Sequence, residues 1–321
     1  MKLGVLTAPW TGEPLEKVLD YLAGVGLEAV ELGTGNFPPP SHCDPAKLNG
    51  SEAARKALLK AVESRGMVIS ALSCHGNPLH PKAAVARKHD QVIRDTIVLA
   101  QKLGVTRVNG FSGLPGGCKT DKFPNWVIAP WPEDHLEALT YQWNDCAIPY
   151  WKELNKLADK HGVDLCFEMH PNFLVYNPET LLKLRAACGK RICANFDPSH
   201  LFWQGIDPCV ALRALGGDVV KHVHAKDSRV DPQNAAVNGV LDTKHYGDEI
   251  NRGWVFRTVG YGHDAAVWKD LCSMLRLIGY DWVLSIEHED SLMSPNEGFE
   301  KAVAFLKEAS IAQPRGAMTW A

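Results

Sequence analysis

No Cys-x-x-Cys pair occurs among the nine cysteines, which are scattered from Cys43 to Cys272, so a zinc knuckle or dithiol motif is excluded. An odd, dispersed set reads as reduced thiols rather than a disulfide framework, and Cys166 and Cys193 sit in apolar, strand-like runs where they pack. No apolar run approaches the roughly 18 residues that a membrane-spanning helix needs. The opening Met-Lys-Leu-Gly-Val-Leu lacks the longer apolar segment of a signal peptide, so the expected location is the cytoplasm, with no membrane partner. An excess of one charge is missing too. With 34 Lys and Arg against 37 Asp and Glu, the net charge is −3, which offers no field for phosphate backbones, and nucleic acid is not an expected partner. Low-complexity segments and long repeats are absent, which disfavours a solenoid. No Gly-x-Gly-x-x-Gly follows the first strand, which argues against a doubly wound dinucleotide-binding sheet.

What is present is an alternation. Short, β-branched-rich runs near residues 2–7, 27–32, 67–74, 105–110, 163–169, 191–197, 219–225 and 282–287 alternate with helical periodicity over segments such as 13–24, 51–65, 85–103, 134–161 and 264–278. Eight βα units predict a closed (β/α)8 TIM barrel, and α/β barrels of this length fold as one domain, here 1–321. Gly24-Val25-Gly26 predicts a helix end, glycine permitting a left-handed turn before strand two. Two connections, 112–133 and 228–262, are too long for simple βα turns. Both follow strands, which puts them at the C-terminal face as lids or specificity loops; packing a subunit interface is the alternative. A homo-oligomer is expected.

Four consecutive predicted strands end on a metal-ligand residue: Glu168 after Cys166-Phe167, Asp197 after Asn195-Phe196, His224 after His222-Val223, and Glu287 after Ser285-Ile286. A carboxylate ending an apolar run needs a cation, a hydrogen-bond network or water. Three carboxylates and an imidazole make a mixed oxygen and nitrogen set for one divalent ion, manganese foremost, with magnesium, cobalt or zinc as alternatives. His222 and His224 share strand parity; His224 is nearer the mouth and His222 is expected one layer down as a core histidine. His170 shares the parity of Glu168 and His200 lies one turn beyond Asp197, so both are placed to reach substrate or orient a ligand.

The phrases Phe-Glu-Met-His, Phe-Asp-Pro-Ser-His, Lys-His-Val-His-Ala-Lys-Asp, Gly-Tyr-Gly-His-Asp and Leu-Ser-Ile-Glu-His-Glu-Asp, in that order over residues 163–290, resemble the sugar isomerase/epimerase superfamily with the xylose isomerase-like TIM barrel. The resemblance implies a metal held by Glu168, Asp197, His224 and Glu287, with His200 contacting a carbohydrate substrate. It further implies that the two glutamates move protons on opposite faces of the sugar while the metal polarises the carbonyl and stabilises an enediolate. Two departures argue against a tagatose or psicose epimerase. The further acidic residue of ketose 3-epimerases is replaced within His170-Pro171-Asn172-Phe173-Leu174-Val175, and the basic residue after the histidine strand, Arg229, is offset by about one position.

Further candidates for the mouth are His75 after strand three, Asn109 after strand four and Trp10 after strand one, each suited to sugar hydroxyls or a sugar face. Glu31 ends strand two, where substrate contact and an interior polar role are equally consistent, and Trp126 lies in the first insertion. The leading function is a divalent-metal-dependent sugar or sugar-derivative isomerase/epimerase. An alternative is a 3-oxo-glycoside lyase that expels an aglycone by β-elimination, with His170 as acid or base. A third is an apurinic-site endonuclease-like phosphodiesterase, which would gather extra metal ligands such as His75 and Glu31.

Overall fold

The computed structural model describes residues 1–319. Eight parallel strands close in the order β1-β10-β7-β6-β5-β4-β3-β2. They are β1 (Lys2–Leu6), β2 (Ala29–Gly33), β3 (Val68–Ser73), β4 (Arg107–Gly110), β5 (Asp164–Glu168), β6 (Ile192–Phe196), β7 (Val220–Ala225) and β10 (Val283–Ile286). Each coincides with a predicted run. Their near-continuous burial on both faces explains why they read as apolar runs rather than as alternating ones.

The helices bury one stripe against the barrel. In Leu15–Val25 the stripe is Val18, Leu19 and Leu22, and the helix stops at Gly26, whose φ of 85° lets its N–H close on Ala23 and Leu22 carbonyls. The predicted helix over 134–161 is continuous but carries a π-helical stretch, Tyr141–Ala147, directly before Ile148–His161. Pro149 has no N–H to donate into the preceding turn, and the wider turn accommodates that loss. In the next helix Trp151 packs edge-on against Phe167 at 4.5 Å and donates to the Ser112 carbonyl at 2.9 Å, which ties β5 and the first insertion to the helical shell.

The insertions differ from each other. Residues 112–133 form no regular element; Gln142 holds them by donating to the Gly116 and Asn125 carbonyls, and Asp121 accepts from Gly117 N at 2.6 Å. The segment 228–262, expected as a loop, is partly structured. An antiparallel ribbon, β8 (Asp227–Val230) with β9 (Trp254–Arg257), pairs Asp227 with Arg257 and Val230 with Trp254, and the helix Pro232–Asn238 lies between them. All nine cysteines are free thiols. Among the described residues no helix is long and apolar enough to cross a membrane.

Candidate metal centre

The parallel register sets four side chains at one end of the barrel. Glu168 is the last residue of β5, Asp197 follows β6, His224 is paired with Ser285 near the end of β7, and Glu287 follows β10. A register shift between Ala194 and Asn195 precedes Asp197. One ligand atom from each of Glu168, Asp197, His224 and Glu287 lies within 4.8 Å of the others. His224 Nδ1 is 3.3 Å from Glu168 Oε2 and 3.2 Å from Glu287 Oε2, yet makes no hydrogen bond, and it is buried without a partner. Asp197 Oδ1 accepts from Ser199 N at 2.8 Å while Oδ2 is likewise buried without a partner. Orphaned buried polar atoms are costly, and two of them facing two further carboxylates fit a divalent cation with mixed ligands.

The electrostatics agree. Burial pushes the Asp197 carboxyl up to about 6, in spite of His200 and Lys226 nearby. Burial also works against ionised Glu287, but Lys226 and His224 overcome it and hold this carboxyl down to about 2. Glu168 is held well below the carboxylate range: burial opposes this, and the His200, His224 and His75 imidazoles around it prevail. For His224 burial disfavours charge, but Glu31 and Glu287 raise its pKa well above the ordinary value.

Beneath the four lies Glu31, which is fully buried. Its carboxylate accepts from Ser73 Oγ, from Asn109 Nδ2 at 2.8 Å, from Ser285 Oγ at 2.6 Å and from His224 Nε2 at 3.0 Å. The last bond keeps Nε2 as the donor, so that loss of a proton would leave the Nδ1 lone pair facing Glu168 and Glu287, as a carboxylate behind a metal-binding histidine does. Glu31 thus takes the interior role. His222 bonds Asn195 Oδ1 at 2.9 Å and Ser70 Oγ at 3.3 Å, and burial pushes its pKa down to about 3, so it is a neutral core histidine one layer down.

The other expected residues divide. His75, His200 and His170 line the mouth. His200 Nε2 donates to Glu168 Oε1 at 2.9 Å, and His75 Nε2 lies 3.1 Å from Glu168 Oε2. His170 donates through Nδ1 to the Pro171 carbonyl, and burial, with His200 adding, holds its pKa down to about 3, leaving it neutral with Nε2 available. Asn109, Arg229 and Trp10 are not in the mouth. Asn109 is buried on Glu31 and His222. Arg229 is exposed on the ribbon and donates to the Gly262 carbonyl at 3.2 Å, because the alternation along β8 turns it outward. Trp10 lies in the short turn Ala8–Trp10, which directs its ring between helices, 5.1 Å from Phe299, with Nε1 donating to Asn296 at 3.0 Å.

Lys226 was not singled out from the sequence. It is 3% exposed, with Nζ 3.1 Å from Glu287, 2.5 Å from Glu289 and 4.1 Å from the centre of the Phe256 ring. Its signal was there, since it lies two residues beyond His224 on the same strand parity. Asp227 is a structural clamp: it accepts from the backbone of Gly260, Gly262 and His263 and from Trp268 Nε1 at 3.2 Å. The Gly-Tyr-Gly-His stretch therefore closes the ribbon on the barrel.

Sequence and structure comparisons agree with this architecture. The model of the xylose isomerase-like TIM barrel family matches residues 19–309. The uncharacterized protein YfiH of Bacillus subtilis (strain 168) is 42% identical over 311 residues, 96% of this chain and 99% of its own length. A D-tagatose 3-epimerase-like protein superposes with a TM-score of 0.64 at 21% identity, over 96% of this chain and 98% of that one. The IOLI protein, solved with a bound zinc atom, superposes at 0.63 with 17% identity over 96% of both chains. At these identities the solved structures speak for the fold, and with the family match over most of the sequence they make this chain a member of the xylose isomerase-like TIM barrels.

Proposed function

We propose that this protein is a divalent-metal-dependent isomerase or epimerase of a sugar or sugar derivative, working by proton abstraction next to a carbonyl. The observation that carries this reading is the convergence of Glu168, Asp197, His224 and Glu287 within 4.8 Å, with Asp197 Oδ2 and His224 Nδ1 buried and unpartnered. Manganese is the ion of choice for this donor set, with magnesium, cobalt and zinc as alternatives. When bound, the ion supplies Lewis-acid polarisation of a substrate carbonyl.

The protein's own groups supply the rest. Glu168 and Glu287 are both held ionised, so either accepts a proton from carbon at neutral pH and passes it to water, while the other takes a proton from water and delivers it to the opposite face. His200 holds Glu168 by a hydrogen bond with His75 beside its other oxygen, and Lys226 holds Glu287, which fixes both bases relative to the substrate. Neutral His170 lines the same cavity as Glu168, Glu287 and Lys226. That position favours a second reading, a 3-oxo-glycoside lyase in which His170 serves the departing oxygen.

Incubating the protein with Mn²⁺ and a panel of ketoses in D₂O separates the two. Deuterium entry into a ketose supports the isomerase or epimerase. No exchange into any ketose, with aglycone released from an oxidised glycoside, supports the lyase. Glu287→Gln should abolish turnover and weaken metal binding, and unchanged activity would contradict the assignment. One ion per chain is expected; three would favour the phosphodiesterase reading.

A further inference from the structure

The mouth of the barrel is divided into lobes of different chemistry. The inner lobe, about 320 Å³, is lined by Glu168, Glu287, Lys226 and His75. It shares Phe37, His170 and Glu289 with a neighbouring cavity of about 750 Å³, which shares His170 and Tyr246 with an outer lobe of about 370 Å³. The outer lobe is walled by Trp126 and Ile128 from the first insertion, Trp203 after β6, and Leu241, Tyr246 and Trp254 from the second. His170 lines all three.

The outer wall packs on itself. Trp203 and Trp254 stack at 4.6 Å and 6°, Tyr246 and Phe256 at 5.7 Å and 20°, and Trp254 Nε1 donates to the Val240 carbonyl at 3.0 Å. Against this wall Leu241 is 59% exposed, Tyr246 53% and Ile128 50%, apolar surface at a site entrance whose removal from water is favourable. The lobe's two basic side chains are engaged. Lys244 is held by Asp242 at 3.1 Å, and buried Arg252 donates to the Lys244 and Trp254 carbonyls. Asp242 offsets the Lys244 charge and Arg252 is buried on carbonyls, so the lobe offers an apolar wall rather than an open pair of cations.

We infer that the substrate is a neutral glycoside whose sugar ring carries a keto group, the ring in the inner lobe with Glu168 and Glu287, an aromatic or aliphatic aglycone against Trp126, Leu241 and Trp254, and His170 beside the bond that joins them. This rests on the sugar chemistry proposed above, and it identifies what the two insertions add to the barrel.

The test uses the full chain loaded with Mn²⁺ and titrated, by calorimetry, with methyl and phenyl glycosides of glucose, galactose and mannose, alongside cellobiose. At least one phenyl glycoside should bind tenfold or more tighter than its methyl partner, about 1.4 kcal/mol. Leu241→Asp, at an exposed position, should bring that ratio toward one, with circular dichroism checking the fold. Three results would overturn the inference: phenyl and methyl partners binding alike or not at all throughout the panel, an advantage confined to cellobiose, or a ratio untouched by Leu241→Asp. Manganese uptake is measured on the same samples. Its failure would strike the metal-site reading, whereas intact uptake with a ratio of one would strike only the aglycone lobe.

Discussion

At Glu31, donors from Ser73, Asn109, Ser285 and His224 converge on two carboxylate oxygens with no exposure to water. Its charge orients the His224 ring and raises the basicity of Nδ1, so Glu31→Gln, which keeps the shape and removes the charge, should weaken Mn²⁺ binding by about 10–100-fold. Calorimetric titration of the variant checks this, and unchanged affinity would show that Glu31 only packs. The four converging candidate ligands are legible in the sequence because each closes an apolar run on adjacent strands. Glu31 closes such a run as well, but nothing local indicates that its partner is His224, 193 residues away across the barrel. Asn109 and Trp10 mislead for a related reason: a strand end gives a residue's position along the barrel axis, but not whether a neighbouring buried charge or a turn draws its side chain elsewhere.

Among the elements, all eight barrel strands are readable because both faces are buried and composition alone marks them. The ribbon of β8 and β9 is not, because one of its strands carries Asp-Ser-Arg-Val and its partner lies across an intervening helix and polar loop. The ribbon depends on Gly262, where an added Cβ would meet Asp227 Oδ1 and the Ser228 carbonyl, each at 2.4 Å. Gly262→Ala should therefore lower stability by about 1–3 kcal/mol, the range for overpacking. A lower melting temperature in a thermal scan is the expected result, and an unchanged one would show that the ribbon yields without cost.

For the whole molecule, the proposed metal site would couple ion binding to proton binding at one end of the barrel. Burial holds the Asp197 proton up to about 6, and the surrounding carboxylates raise the His224 pKa well above its ordinary value. Both groups must lose a proton to act as ligands, so protons compete with the ion and affinity should rise with pH. The effect approaches tenfold per pH unit for each proton released, and for Asp197 it is lost above about 6. Mn²⁺ titrations between pH 5 and 8 check the sign, and a flat profile would mean that these groups do not hold the ion. Ligand binding to the native state also stabilises it by mass action, by about 2.7 kcal/mol at a hundredfold excess over Kd, and so raises the melting temperature.

The most direct test of the centre is the manganese content of the wild-type chain and of Asp197→Asn, measured at pH 7 under saturating supply with both proteins shown to be folded. The shared-cation account predicts one ion per wild-type chain and at least a hundredfold weaker binding in the variant. A wild-type chain without manganese, or a variant that binds it equally well, would contradict it.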